Sequence, residues 1–255
     1  MATAWLRFYE ELNDFLPPRR RKRDIAYPLT RRASVKDVIE SLGVPHTEVD
    51  LILVDGRSVG FDHIVGDGQR ISVYPVFESL DISPVQRLRP KPLREPRFVC
   101  DANLGRLARY LRLLGFDTLY RNDFRDREVA ELSARQRRIL LTRDRRLLRR
   151  RILTHAYFVR AEDPREQARE VVRRFDLAAR ARPFTRCARC NGLLEDVDKE
   201  QILDRLEPKT RRYYDRFRRC RDCARLYWQG SHHDRAAALV RHLLSESREP
   251  PAAGP

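Results

Sequence analysis

Four short apolar runs, at residues 98–100, 118–120, 139–141 and 156–159, alternate with amphipathic segments that begin near Leu104, Asp126, Asp144 and Pro164. Runs of this length suit buried strands, and the segments between them carry apolar residues at helical spacing. Such alternation folds as a mostly parallel sheet with helices on both faces, because crossover connections return each strand beside an earlier one. The first run shows the pattern most clearly, since it delivers Asp101 directly into the stripe Leu104, Leu107, Ala108, Leu111 and Leu114. An acid at that junction lies at the carboxyl end of a strand, where open α/β sheets place their ligands.

Every strand of the series ends in acids. Asp101 follows the first; Asp123, Asp126 and Glu128 follow the second; Asp144 follows the third; Glu162 and Asp163 follow the fourth. Parallel strands bring these side chains to one edge of the sheet. Clustered carboxylates repel one another unless a cation lies between them, and hard oxygen donors suit Mg²⁺ or Mn²⁺. Asp101 and Asp144 are the leading metal ligands. Asp126 is the third, with Asp123 and Glu128 as rivals and helix capping as its plain alternative. Asp163-Pro164-Arg-Glu166 has the form of a helix start. Cys100 is expected to face the sheet interior as a core thiol. Arg106, Arg109 and Arg112 lie off the leucine stripe, where they either follow a phosphate backbone or form a solvated helix face. Arg143 either stabilises charge at the site or pairs with a neighbouring acid.

Upstream, residues 1–80 read as strand, strand, helix, strand, strand. Ser34-Val-Lys-Asp37 has capping-box spacing and opens a helix closed by Gly43. That order resembles the α+β β-grasp fold of ubiquitin and the sulfur carriers. Carriers react through a terminal glycine pair, which the run Phe77-Glu-Ser-Leu80 lacks, so a docking or scaffold role with a protein partner is expected. Arg19 to Arg23 read as a solvated loop. Residues 81–96, with four prolines and four basic residues, read as a linker.

Charge separates the two parts. Residues 1–80 hold 11 Lys+Arg against 12 Asp+Glu, whereas the remainder holds 42 against 25. A bias of the source proteome toward arginine would raise it throughout; basicity confined to one part points to a polyanionic partner such as RNA. No basic stretch followed by an apolar run opens the chain, and no apolar segment approaches the ~20 residues that span a bilayer. A cytoplasmic protein without a membrane partner is expected.

Cys187-Ala-Arg-Cys190 and Cys220-Arg-Asp-Cys223 are two C-x-x-C pairs separated by 29 residues. Four thiolates make a closed structural Zn²⁺ site, and the long gap predicts an inserted helix over residues 199–206. Asn191-Gly192 supplies the turn a zinc ribbon needs. His232 and His233 are read as exposed, because four cysteines already complete the site. Tyr213, Tyr214, Phe217, Tyr227 and Trp228 interleave with arginines; some form the ribbon's small core, and an exposed ring can stack an unpaired base.

Asp101-Ala-Asn-Leu-Gly-Arg-Leu-Ala-Arg-Tyr-Leu-Arg-Leu-Leu-Gly-Phe-Asp117, Leu140-Leu-Thr-Arg-Asp144, Cys187-Ala-Arg-Cys-Asn-Gly192 and Tyr227-Trp-Gln-Gly-Ser-His232 resemble the Mut-seven C-terminal ribonuclease family. The resemblance covers residues 97 to about 244 and implies a PIN-like nuclease domain (97–182) and a zinc ribbon (183–244); residues 245–255, beyond it, are expected to be a disordered tail. Family members are often preceded by a ubiquitin-like domain, matching residues 1–80. The family pattern implies that Asp101 and Asp144 bind metal, that Asp126 matches the acid opening the middle helix, and that Cys187, Cys190, Cys220 and Cys223 hold zinc. The expected activity is metal-dependent RNA hydrolysis. PIN-like domains also include members that bind RNA without cutting it, so a non-catalytic RNA-binding adaptor is the alternative.

Overall fold

The computed structural model describes residues 2–75, 88 and 96–245; the expected linker and tail fall almost wholly outside them. Residues 2–75 form a five-stranded mixed sheet in which β1 (Thr3–Phe8), β2 (Ile25–Pro28), β3 (Val49–Val54), β4 (Arg57–Ser58) and β5 (Arg70–Pro75) take the order β2-β1-β5-β3-β4. The pair β1 and β5 is parallel and the remaining pairs are antiparallel. In β1, burial alternates with period two, so Ala4, Leu6 and Phe8 turn inward while Trp5 and Arg7 face out. The helix α1 (Val35–Ser41) packs Val35, Val38 and Ile39 against that inner face. Ser34 caps it, its Oγ accepting from the Asp37 N–H at 3.2 Å, and Gly43 ends it in the left-handed region at φ +107°.

A second sheet is wholly parallel: β6 (Phe98–Cys100), β7 (Thr118–Leu119), β8 (Ile139–Thr142) and β9 (Ala156–Phe158), in the order β7-β6-β8-β9. The helices α2 (Gly105–Leu113) and α4 (Pro164–Arg174) cover one face against Phe98, Cys100 and Leu141. The other face carries Val99 and Leu140, packed with Val129 and Ala130 of α3 (Asp126–Gln136). Helices therefore lie on both faces, as the alternation predicts. Leu107 and Leu111 are fully buried, each contributing about 2 kcal/mol by leaving water. Cys100 is a core thiol, and burial pushes its pKa up. Asp163 caps α4 by accepting from the Arg165 and Glu166 N–H groups.

The expected helix from Asp144 does not form. Only a 3-10 turn, Leu147–Arg149, follows β8. Leu147 and Leu148 are adjacent and both buried, a spacing an amphipathic helix does not produce, and they pack into the core that continues into the N-terminal sheet. Arg145 lies over the rings of Phe15 and Phe158 and donates to the Asp14 carbonyl. Contacts with the N-terminal domain thus shape this segment.

The two outer strands of the parallel sheet are each closed by a neighbouring region. At β9, the outward N–H of Phe158 donates to Glu48 Oε1 at 2.7 Å. At β7, the N–H of Thr118 donates to Asn191 Oδ1 at 2.9 Å. Beyond this sheet, β10 (Leu194–Val197), β11 (Phe217–Cys220) and β12 (Leu226–Trp228) make a small antiparallel sheet. The insertion between its first two strands holds a 3-10 helix, Lys199–Arg205, where a helix was expected, and α5 (Pro208–Tyr213). The last helix, α6 (Ser231–Ser245), turns back so that Val240 and Leu243 join the core under α4.

Candidate active site and metal centre

The strand order places β7 and β8 on opposite sides of β6, so the chain reverses its direction of travel between β6 and β8. Parallel sheets bind ligands in the crevice at such a switch point. Asp101 follows β6 and Thr142 ends β8, side by side, with the Asp101 N–H donating to the Leu141 carbonyl at 3.0 Å. Asp101 is 8% exposed. Its Oδ1 accepts from the Ala102 N–H at 2.6 Å, capping a 3-10 turn, while Oδ2 accepts from Thr142 Oγ1 at 2.8 Å. The same hydroxyl oxygen accepts from the Asp144 N–H at 2.9 Å. Thr142 therefore joins the two acids. Sequence reasoning did not single it out; its signal was a polar residue ending an otherwise apolar run. Asp144 is half-buried, and its Oδ1 accepts from the Arg146 N–H at 2.7 Å.

The remaining acids are engaged elsewhere. Asp126 is the first residue of α3 rather than its cap, is exposed, and lies 3.9 Å from Arg150. Asp123 and Glu128 both pair with Arg121, at 2.9 Å each. The oxygens of Asp101, Asp126 and Asp144 do not form a set lying within 4.8 Å of one another; among the described residues the four cysteines do. Mg²⁺ commonly takes one or two carboxylates and keeps several waters, so the donor chemistry of the Asp101–Asp144 pair fits it.

Two of the four expected RNA-contacting arginines are exposed and two are not free to reach a strand. Arg106 and Arg109 are exposed and make no ion pair among the described residues. Arg112 corrects the expectation: it is 4% exposed, its Nε donating to the Thr118 carbonyl at 2.8 Å and Nη1 to the Arg189 carbonyl at 2.7 Å. It ties α2 and β7 to the first cysteine pair. Arg143 is half-buried, donates to the carbonyls of Arg160 and Ala161, and lies 3.5 Å from Glu162, which favours the pairing alternative.

The cysteines converge. The Sγ atoms of Cys187 and Cys223 are 3.7 Å apart and those of Cys190 and Cys220 are 3.4 Å apart. Tetrahedral Zn²⁺ with Zn–S bonds of about 2.3 Å spaces sulfurs about 3.8 Å apart, so the donor set fits a closed structural metal. The two pairs share one backbone pattern: the N–H of Asn191 reaches the Cys187 carbonyl and that of Ala224 the Cys220 carbonyl, both at 2.9 Å, with Asn191 and Ala224 both left-handed. Gly192 is required by close approach, because a Cβ there would lie 2.8 Å from Cys220 Sγ. Burial works against a thiolate at Cys187, yet hydrogen bonds from the Tyr227 hydroxyl and the Cys190 and Arg189 N–H groups bring it down to about 7. Burial, helped by hydrogen bonds among the crowded thiols, pushes Cys190 up to about 12. His233 packs on Phe184 and His232 is exposed, outside the cluster.

Asn191 also connects this centre to the sheet. Its Nδ2 donates to Asp117 Oδ1 at 2.8 Å, beside the Arg138 guanidinium that grips both Asp117 oxygens. Burial alone would raise Asp117; the hydrogen bonds from Arg138 and Asn191 outweigh it and hold the carboxyl below its ordinary value.

A parallel sheet with helices on both faces, a ubiquitin-like sheet before it and a four-cysteine ribbon after it define a PIN-like α/β protein. Among the described residues no helix is long and apolar enough to cross a membrane. The model of the Mut7-C RNAse domain matches residues 96–240, and that of the Mut7-C ubiquitin domain matches residues 1–81. The chain belongs to the Mut7-C RNAse family. No curated protein and no solved structure matches it.

Proposed function

We propose that the chain is a metal-dependent ribonuclease, cytoplasmic, whose site is built on Asp101 and Asp144, with Asp126 turned to Arg150 and outside it. The observation that carries this is the Thr142 hydroxyl, which holds Asp101 and meets the Asp144 backbone at the switch point of a ribonuclease-family domain. Asp101 and Asp144 would hold Mg²⁺ or Mn²⁺, which supplies activation of water and neutralisation of charge at a phosphodiester. The Thr142 hydroxyl and the Ala102 N–H each hold one Asp101 oxygen and so fix the orientation of the carboxylate that would meet the ion. Arg106 and Arg109 bind the RNA backbone beside it. The four cysteines hold structural Zn²⁺, and the ubiquitin-like domain is the element open to a protein partner.

Cleavage of a mixed RNA pool with Mn²⁺ tests the proposal. Asp101→Asn and Asp144→Asn are expected to lower cutting by about 10²-fold or more while retaining RNA binding. Equal cutting by all three proteins overturns this site. The exposure of Asp126 and its Arg150 neighbour favour the second reading, an RNA-binding adaptor, which predicts binding without cutting in the wild type.

A further inference from the structure

The ribbon has two electrostatic halves. Residues 193–207 carry six acids and two basic residues, whereas residues 208–230 carry eight basic residues and two acids. Part of that imbalance is settled internally: Arg218 pairs with Asp196 at 3.1 Å, and Arg219 and Arg221 pair with Glu195 at 2.9 and 3.0 Å. Arg211, Arg212, Arg216 and Arg225 are exposed and have no ion-pair partner among the described residues. The same stretch leaves two large rings in water. Tyr213 is 66% exposed and Trp228 38%.

Trp228 ends β12 opposite Phe217, and Tyr213 ends α5 four residues before Phe217, so both lie toward the same end of the ribbon sheet. A Cβ on Gly230 would lie 3.1 Å from Trp228 Nε1 and 3.2 Å from the Tyr214 hydroxyl, so the end of β12 meets the end of α5. Phe217 and Tyr214 are taken up by the small ribbon core, with Trp228 at its rim, 6.3 Å from Phe217. Arg212 lies over the Tyr213 ring at 5.4 Å. Exposed rings among uncompensated guanidinium groups match unpaired nucleotides, whose bases stack on aromatic faces while their phosphates pair with arginine.

We infer that Tyr213 and Trp228, with Arg211, Arg212 and Arg216, form a second binding site on the ribbon for single-stranded RNA. It rests on the proposal that RNA is the substrate, and adds that a strand is gripped by its bases away from the paired acids. Duplex RNA keeps its bases stacked internally and gains only the arginine contacts.

The test is fluorescence anisotropy of the full zinc-loaded chain with a labelled oligouridine, compared with a blunt RNA duplex. Trp228→Ala and Tyr213→Ala are each expected to weaken oligouridine binding about tenfold, with little change for the duplex. Trp228→Phe and Tyr213→Phe, which keep a stacking face, should restore most of the loss, and zinc content should stay at the wild-type level. Arg211→Gln together with Arg216→Gln should flatten the salt dependence for both probes. Oligouridine binding within twofold of wild type in both alanine variants overturns the site and leaves the face to a protein partner. Weaker binding only alongside zinc loss also overturns it. The two proposals fail separately: loss of cutting in Asp101→Asn with unchanged binding in Trp228→Ala sinks this site alone, and weaker binding in Trp228→Ala with no cutting by wild type sinks the nuclease alone.

Discussion

The two edges of the parallel sheet pose one chemical problem and receive different answers. At each edge an outward N–H would be left without a partner or open to another chain, and at each a single side chain from a flanking region accepts it. At β9 the acceptor is a carboxylate, Glu48, 1% exposed and lying 3.4 Å from Arg160. At β7 it is the amide of Asn191, whose own N–H₂ is satisfied by Asp117. The charged solution needs counter-charges and is tied to pH. The neutral solution needs the turn that follows Cys190 and is tied to the cysteine cluster. Capping an edge therefore makes each flanking region part of the sheet, with a different sensitivity on each side.

The largest expected effect separates the edges by metal. Four-thiolate zinc sites contribute folding free energy of order 10 kcal/mol in small domains. Chelation, or Cys220→Ser, should expose the Thr118 N–H to hydrogen exchange while Phe158 stays protected. Simultaneous loss at both positions would break the comparison. Next, Glu48→Ala leaves the Phe158 N–H without its acceptor and Arg160 with Asp14 as its remaining acid partner, and is expected to cost about 3 kcal/mol in urea denaturation. Asn191→Ala removes two hydrogen bonds and should cost about 1–3 kcal/mol. Equal or inverted costs would show that charge does not distinguish the edges. The smallest effect is a slope. Burial, opposed by Arg160 and Arg174, raises Glu48 above its ordinary value of 4.5. The folded state then keeps this proton at pH values where the unfolded chain has released it, so stability from this group is present below 4.5 and falls as pH rises through the raised value. Glu48→Gln should flatten that fall, as read from denaturation midpoints against pH. An unchanged slope would assign the pH dependence to another group.

Local signals carried the sequence expectations a long way and stopped at tertiary ones. The parallel sheet was legible because apolar runs and helical stripes differ in period, and the α4 start because Asp163-Pro164 caps locally. The cysteine pairs were legible from spacing alone. Arg112 was misplaced because a helical stripe says which face meets its own sheet, not which face a ribbon 76–77 residues away will cover. The segment after Asp144 was misread as helix for the same reason, since Phe15 and Asp14 shape it from the N-terminal domain. Glu48 and Asn191 were invisible as edge caps, being 110 and 73 residues from the groups they serve. Asp101 and Asp144 stood out by strand position, whereas Thr142 emerged only when both hydrogen bonds were in view.

Those separations also set an order of events on the ribosome. Glu48 is synthesised before β9, so that edge can be closed as soon as Phe158 emerges. Thr118 must wait for Asn191, 73 residues later. At ~5–20 residues per second the β7 edge stays open for roughly 4–15 s in every nascent chain. During that interval it is the strand on which a neighbouring nascent chain can pair, and the arrival of the first cysteine turn ends the exposure.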